Sequence, residues 1–150
     1  MSEKARIEDT IRPVIEASGA FLVDLTVRGQ HEGKVIEVFV DTDDGITTGS
    51  CADLSRHIIR AIDSIETLKG RFSLVVSSPG LERPIKYPRQ YPRNVGRIMV
   101  VKHRTDGRTD QVIGELVGSF PTHIVLRSES GEMITVPYEA ILEARVRPRW

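Results

Sequence analysis

The spacing of apolar positions changes from helical to alternating within the first 40 residues. Ile7, Ile11, Val14 and Ile15 form the stripe of an amphipathic helix over residues 3–18. Pro13 lies inside that stripe and has no backbone N–H, so we expect a kink or a restart there. Alternation then follows in two runs, which predict an antiparallel hairpin with a short Gly-flanked loop. The alternating positions are Phe21, Val23, Leu25 and Val27, then Ile36, Val38 and Val40.

A second helix and a third strand are predicted before residue 80. Ser50 and Asp53 have the spacing of a capping box, so we expect the helix to begin at Ser50. Its apolar face holds Cys51, Leu54, Ile58, Ala61, Ile62 and Ile65. Phe72, Leu74 and Val76 alternate in the strand that follows. The order α-β-β-α-β has too few elements for a doubly wound sheet. The predicted core comprises Ile11, Phe21, Val23, Ile36, Val38, Leu54, Ile58 and Leu74.

Behind Pro84 the pattern contains short strands only. Five apolar runs are separated by turn signals, with no helical stripe between them, and this predicts a small barrel. The runs cover residues 97–102, 111–117, 124–127, 133–136 and 141–146. We expect Gly114 to allow a sharp bend and residues 137–140 to form one 3₁₀ turn. The predicted domains are residues 1–84 and 85–150, with residues 85–96 as a basic connector.

Composition limits the class of protein. The chain has 150 residues, of which 39% are hydrophobic and 28% charged, as in ordinary globular proteins. The single cysteine, Cys51, excludes an internal disulfide framework, and its place on an apolar helix face predicts an unreactive thiol. Because the first residues are polar and no apolar stretch approaches 18 residues, we expect a cytoplasmic protein without a signal peptide or membrane span.

The net charge of zero conceals an uneven distribution. Residues 1–84 carry ten basic and 14 acidic side chains, and the remainder carries 11 and seven. A basic run, interleaved with Tyr87 and Tyr91, comprises Arg83, Lys86, Arg89, Arg93 and Arg97. The last four would share one face if the segment turned helical, although Pro92 limits such a helix to a turn or two. A basic stripe with aromatic residues is typical of contact with nucleic-acid phosphates. The alternative is a solvated linker whose charges complement the acidic half. Arg145, Arg147 and Arg149 form a second basic feature.

Motifs for catalysis or cofactor binding are missing from the sequence. The acidic residues Asp41, Asp43 and Asp44 do not have the spacing of an EF-hand, and the four histidines are scattered. Neither glycine-rich phosphate-binding motif occurs, and no nucleophile is paired with a base. We therefore expect a protein that is not an enzyme and uses no metal or cofactor.

Three segments carry a family resemblance: Gly45-Ile-Thr, Cys51-Ala-Asp-Leu-Ser-Arg56 and Ser77-Ser-Pro-Gly-Leu-Glu-Arg-Pro84. With them, the whole chain resembles the bacterial ribosome maturation factor RimP family. The resemblance implies an α/β domain followed by an SH3-like or Sm-like five-stranded barrel, hence an α+β protein. It also implies a non-catalytic monomer that assembles the small (30S) ribosomal subunit. Its partners would be rRNA phosphates and, through the barrel, a ribosomal protein near the decoding centre.

Two departures from the family pattern and one rival hypothesis remain. Glu82 stands where an Asp is common, and residues 48–50 replace a more acidic helix entry. For the interdomain motif we favour a structural function over direct contact, since Pro-Gly forms a turn and Arg-Pro an extended exit. Its residues are Ser77, Ser78, Pro79, Gly80, Leu81, Arg83 and Pro84.

The rival hypothesis is a stand-alone KH-like or Sm-like RNA-binding protein, although the G-x-x-G loop of KH domains is missing.

Overall fold

The mixed α+β class is confirmed by the structure. A computed structural model describes residues 2–29, 33–68, 71–80 and 83–148. The chain divides into two compact units, residues 1–79 and 80–150. The sequence places the domain boundary after Pro84, five residues later than the division into compact units after Pro79. The predicted boundary therefore remains a prediction.

The first unit is a three-stranded sheet covered by two helices. Its elements in chain order are α1 (Glu3–Ala17), β1 (Phe21–Arg28), β2 (Lys34–Asp41), α2 (Thr48–Ile62) and β3 (Phe72–Ser77). The central strand β2 pairs with β1 in antiparallel fashion and with β3 in parallel. The parallel pair requires a crossover, which α2 supplies. Helix α1 packs against β1, α2 packs against β3, and the two helices contact each other.

The core of this unit lies where the helical stripes meet the sheet. Ile7, Ile11 and Ile15 of α1 are fully buried, and so are Ile58 and Ile62 of α2. Each such side chain stabilises the fold by about 1.5–3 kcal/mol relative to exposure to water. The predicted apolar face of α2 is confirmed, since Asp53, His57 and Arg60 on its other side are exposed.

The predicted core positions Phe21 and Val23 of β1 are buried, but the strict alternation of the strand is interrupted there. Leu22 occupies the core together with Leu25, whereas Phe21 and Val23, although buried, lie outside that cluster. The cause is a β-bulge: Leu22 pairs with Val40 and Asp24 pairs with Phe39, which leaves Val23 as an extra residue. An extra residue shifts the alternation of all side chains before it by one position.

Both helix-boundary predictions need correction. Helix α1 is continuous through Pro13 and does not restart there. The cap of helix α2 is Thr47, three residues before the predicted cap, because the Oγ1 of Thr47 accepts a hydrogen bond from the Ser50 backbone N–H at 3.1 Å. Asp53 forms an ion pair with Arg56 instead of closing a capping box. A threonine with extended backbone is, like serine, a favoured N-cap, because its hydroxyl oxygen accepts from one of the first amide donors.

The second unit contains the five predicted strands. They are β4 (Ile98–Thr105), β5 (Arg108–Ser119), β6 (His123–Ser128), β7 (Met133–Pro137) and β8 (Ile141–Val146). They form one antiparallel sheet in the order β7-β6-β5-β4-β8. In the part of the chain that the structure describes, no ladder joins β7 to β8, so the sheet is not a closed barrel. The predicted 3₁₀ turn lies at Tyr138–Ala140.

Gly114 allows β5 and β6 to approach each other closely, rather than allowing the predicted bend. A Cβ at this position would lie 2.6 Å from the Arg127 carbonyl oxygen of β6. The irregularity in the β5–β6 ladder lies further along, between Leu116 and Gly118. The core beneath is formed by Met99, Val101, Leu116, Ile124, Leu126, Val136 and Ala144.

Candidate nucleic-acid interface

The basic segment, residues 83–97, is folded onto the second unit. The Ile85 backbone N–H donates a hydrogen bond to the Ala144 carbonyl of β8 at 2.7 Å, and its side chain packs against the core. Tyr91, near the middle of the segment, is only 3% exposed and belongs to that core. The segment is therefore part of the folded unit, while the function of its charges remains a prediction.

Two prolines determine the local conformation of the segment. Pro88 and Pro92 each begin a 3₁₀ turn, Pro88–Gln90 and Pro92–Asn94. Proline fits the first position of such a turn because that position needs no backbone donor. The single helical face predicted for the cations is therefore not formed, since the second proline ends the first turn.

Two buried amides hold these turns in place. The Gln90 Oε1 accepts hydrogen bonds from the backbone N–H groups of Lys86, at 2.9 Å, and Tyr87, at 2.8 Å. The Asn94 Nδ2 donates to the Gln90 carbonyl at 2.8 Å. Gln90 and Asn94 are 5% and 8% exposed, so these bonds satisfy groups that water does not reach. The backbone under the cations is consequently fixed.

The predicted contact residues differ in their exposure. Lys86, Arg89 and Arg93 are exposed, whereas Arg83 and Arg97 are half-buried. The Lys86 Nζ lies 5.7 Å from the centre of the Tyr87 ring. Arg89 and Arg93 each also interact with another group of the protein. The structure thus presents three cations outward along a rigid segment, on two short turns.

Tyr91 anchors the segment through an aromatic contact. Its ring centre lies 5.4 Å from that of Tyr138, which follows β7, at an interplanar angle of 44°. Burial raises the pKa of Tyr91, and the neighbouring Tyr138 raises it further. The Tyr91 hydroxyl is therefore neutral at physiological pH.

The second basic feature begins in β8, which contains Arg145. The Arg145 Nε donates to the Glu143 carboxylate at 2.7 Å, and this hydrogen bond lowers the pKa of Glu143. Arg147 is exposed, while its backbone N–H donates to the Ile98 carbonyl at 2.8 Å. Arg149 lies outside the described residues.

The interdomain motif spans the point where the two units divide. Ser77 ends β3, and Gly80 has a φ of +65°, a conformation that favours glycine. Arg83 and Pro84 are half-buried at the start of the second unit, and Leu81 and Glu82 lie outside the described residues. The structural function expected for this motif remains a prediction.

The described residues contain no group of three or more His, Cys, Asp or Glu side chains that could hold a metal ion. Asp41 is 1% exposed, and its Oδ1 accepts from the Thr42 backbone N–H at 2.9 Å. Burial raises the pKa of the Cys51 thiol, which favours its neutral form. Among the described helices, none is long and apolar enough to cross a membrane.

Comparison with known proteins identifies the family. Residues 10–82 match the model of the RimP N-terminal domain. Ribosome maturation factor RimP of Pelodictyon phaeoclathratiforme is 37% identical over 142 residues, covering 88% of this chain and 80% of the relative. Ribosome maturation factor RimP of Prosthecochloris aestuarii is 44% identical over 105 residues, covering 67% of this chain and 59% of the relative. The chain belongs to the RimP family.

Proposed function

We propose that this protein is a non-catalytic factor for maturation of the small (30S) ribosomal subunit. The observation that carries this proposal is the 37% identity to a ribosome maturation factor over 88% of the chain. The charge distribution supports it, because a basic segment on a folded surface suits a partner rich in phosphate.

The two units would divide the binding between them. In this proposal the basic segment contacts rRNA phosphates through Lys86, Arg89 and Arg93, with Arg83 and Arg97 as further contacts. The second unit, through its open five-stranded sheet of SH3-like or Sm-like type, contacts a small-subunit ribosomal protein near the decoding centre. Residues 77–84 then act as a structural connection between domains 1–84 and 85–150. The rigid backbone of the segment supports this, because fixed cations lose little conformational entropy on binding.

Sedimentation with ribosomal particles tests the proposal. We expect the protein to co-sediment with immature small subunits and to bind deproteinised rRNA of the same strand length far more weakly. A Cys51→Ala variant provides a matched control, since this buried thiol faces the core and binding should be unchanged. Equal binding to immature subunits and to bulk RNA would instead favour the stand-alone RNA-binding protein.

A further inference from the structure

A groove lies beside the end of β7 in the second unit. Its walls are formed by His123, Tyr138, Glu139, two threonines and three prolines. The prolines are Pro88, Pro121 and Pro137. The volume of about 610 Å³ is within the roughly 300–1,000 Å³ of clefts that bind organic ligands. The groove is therefore large enough to accept side chains of a partner.

Two ring contacts hold the aromatic residues of the groove in place. The His123 ring stacks on the Phe120 ring with a centre-to-centre distance of 5.0 Å and an interplanar angle of 23°. The Tyr138 ring packs against the ring of the buried Tyr91. The Tyr138 backbone N–H also donates to the Thr122 carbonyl at 3.1 Å, which joins two of the walls. A partner that binds here therefore loses little free energy in ordering the groove.

The groove combines hydroxyl groups with one negative charge. Thr135 is exposed and Tyr138 is half-buried, so their hydroxyls can donate hydrogen bonds to backbone carbonyls of a partner. Glu139 is exposed and follows Tyr138 in the 3₁₀ turn Tyr138–Ala140. The described residues that line the groove include no lysine or arginine. The Glu139 carboxylate is therefore not neutralised by another wall of the groove.

This negative charge determines which partner fits the groove. A phosphate group would be repelled by the Glu139 carboxylate and would meet no cation among the described lining residues. A purely apolar segment would cover the carboxylate without supplying a counter-charge, which is costly. A segment that carries a lysine or an arginine avoids both costs. Grooves lined by aromatic side chains are also a common binding site for extended peptide segments.

We propose that the groove binds an extended, basic segment of a ribosomal protein, with a lysine or arginine of that segment paired to Glu139. This deepens the protein contact in the function proposed above and rests on that function for the identity of the partner. Proteins bound to rRNA use lysine and arginine to neutralise its phosphates, so a basic segment suits a partner within the immature subunit. Pro88 lines the groove and Arg89 follows it in the basic segment. The protein and the rRNA of one particle are then contacted side by side.

Substitution of Glu139 tests the ion pair. Glu139→Gln keeps the size of the side chain but removes its charge. The probes are the proteins of the small subunit, each purified free of RNA and immobilised, and biolayer interferometry measures the affinity. We expect the wild type to bind at least one of them, and Glu139→Gln to bind it about tenfold to a hundredfold more weakly. Glu132→Gln, at an exposed acidic residue between β6 and β7, is the matched control and should bind as the wild type does.

A second variant tests the groove without changing its charge. Tyr138→Phe keeps the ring that packs against Tyr91 but removes the hydroxyl group, and it should weaken binding to the same purified protein by about twofold to tenfold. Thermal melts followed by circular dichroism should be unchanged in Glu139→Gln, because substitutions at exposed residues have small effects on stability. A loss of binding in that variant is then a property of the groove and not of unfolding.

The outcomes separate this inference from the proposed function. If the wild type binds none of the purified proteins, or if Glu139→Gln binds as tightly as the wild type, the docking proposal is wrong even where the protein co-sediments with immature subunits. If a purified ribosomal protein is bound in a Glu139-dependent way but immature subunits are not bound, the docking proposal stands and the maturation function fails.

Two other occupants of the groove would overturn the proposal. A dimer of this chain that forms in the wild type but not in Glu139→Gln, measured by analytical ultracentrifugation, would show that a second copy fills the groove. Tighter binding of Glu139→Gln to deproteinised rRNA, together with crosslinks from residues 138–140 to RNA, would show that RNA lies there.

Discussion

The two units bury their cores in different ways. In the first, two amphipathic helices cover one face of a three-stranded sheet, and Ile7, Ile11 and Ile15 show the helical period directly. The second has no α-helix among its described residues. Its core is formed by side chains of a five-stranded antiparallel sheet together with Tyr91 of the basic segment. Stability in the first unit therefore depends on helix faces, and in the second on strand approach and one inserted aromatic ring.

The two units also differ in charge and in the number of exposed hydrophobic residues. Residues 1–79 carry nine basic and 13 acidic side chains, whereas residues 80–150 carry 12 and eight. Of the described large hydrophobic residues that are exposed, Ile59 and Val75 belong to the first unit and five belong to the second. The five are Val95, Ile113, Phe120, Met133 and Leu142. Apolar and cationic groups together are typical of binding surfaces, so the second unit is the better candidate for partner contact.

The largest expected effect concerns the helix-based core. Leu54→Ala should lower the free energy of unfolding of the first unit by about 2–5 kcal/mol, because a side chain that is 3% exposed is replaced by a cavity. Urea unfolding followed by far-UV circular dichroism measures this loss. Ile59→Ala in the same helix, at a residue that is 39% exposed, should cost less than about 1 kcal/mol. A similar loss in both variants would show that the helix face is misassigned.

The strand-based core should respond to added volume. Gly114→Ala places a methyl group 2.6 Å from the Arg127 carbonyl oxygen, so β5 and β6 must separate, at a cost of about 1–3 kcal/mol. Gly118→Ala is the control, since its methyl group meets only the Phe120 ring, which can move. Amide hydrogen exchange in β4–β8 reports both variants. Equal protection of these strands in the two variants would contradict the close-approach function of Gly114.

The raised pKa of the buried Tyr91 predicts that the stability of the second unit depends on pH. Because burial raises the pKa of Tyr91 above its ordinary value of 10.0, the folded state disfavours the tyrosinate. The stability of the unit should therefore be complete below pH 10 and fall as the pH rises further. Hydrogen exchange of β4–β8 in the wild type and in Tyr91→Phe measures the effect. The Phe variant should lose less stability between pH 9 and 11, and an identical loss would show that Tyr91 does not titrate with unfolding.

The sequence predicted the helices and strands, but it did not predict the β-bulge or the helix cap. The helical stripes and the five short strands were evident because apolar spacing reports directly which face is buried. The bulge at Val23 was missed because it depends on how β1 pairs with β2, and the cap at Thr47 was missed because an earlier hydroxyl leaves the helical spacing unchanged. The cations were found by their spacing, and the short helical extent that Pro92 allows is seen as two 3₁₀ turns.

The stacking of the Phe120 ring on the His123 ring was missed for a different reason. Phe120 and His123 are separated by Pro121 and Thr122, and only the closed turn places one ring on the other. The sequence signal, an aromatic residue followed by proline at a strand end, is common in turns that bind nothing. The buried Gln90 and Asn94 were similarly hidden, because an amide in a basic run reads as solvent-exposed.

The most direct measurement is the salt dependence of binding to immature small subunits. Four to five phosphate contacts predict roughly a hundredfold loss of affinity for the wild type between about 50 and 200 mM salt. Replacing Lys86, Arg89 and Arg93 with Gln should lower the slope of log affinity against log salt by about two to three. The same charge change in the first unit, at the exposed Lys4, Arg56 and Arg60, should leave the slope unaltered. Equal slopes for the wild type and both triple variants would contradict phosphate contact by the basic segment.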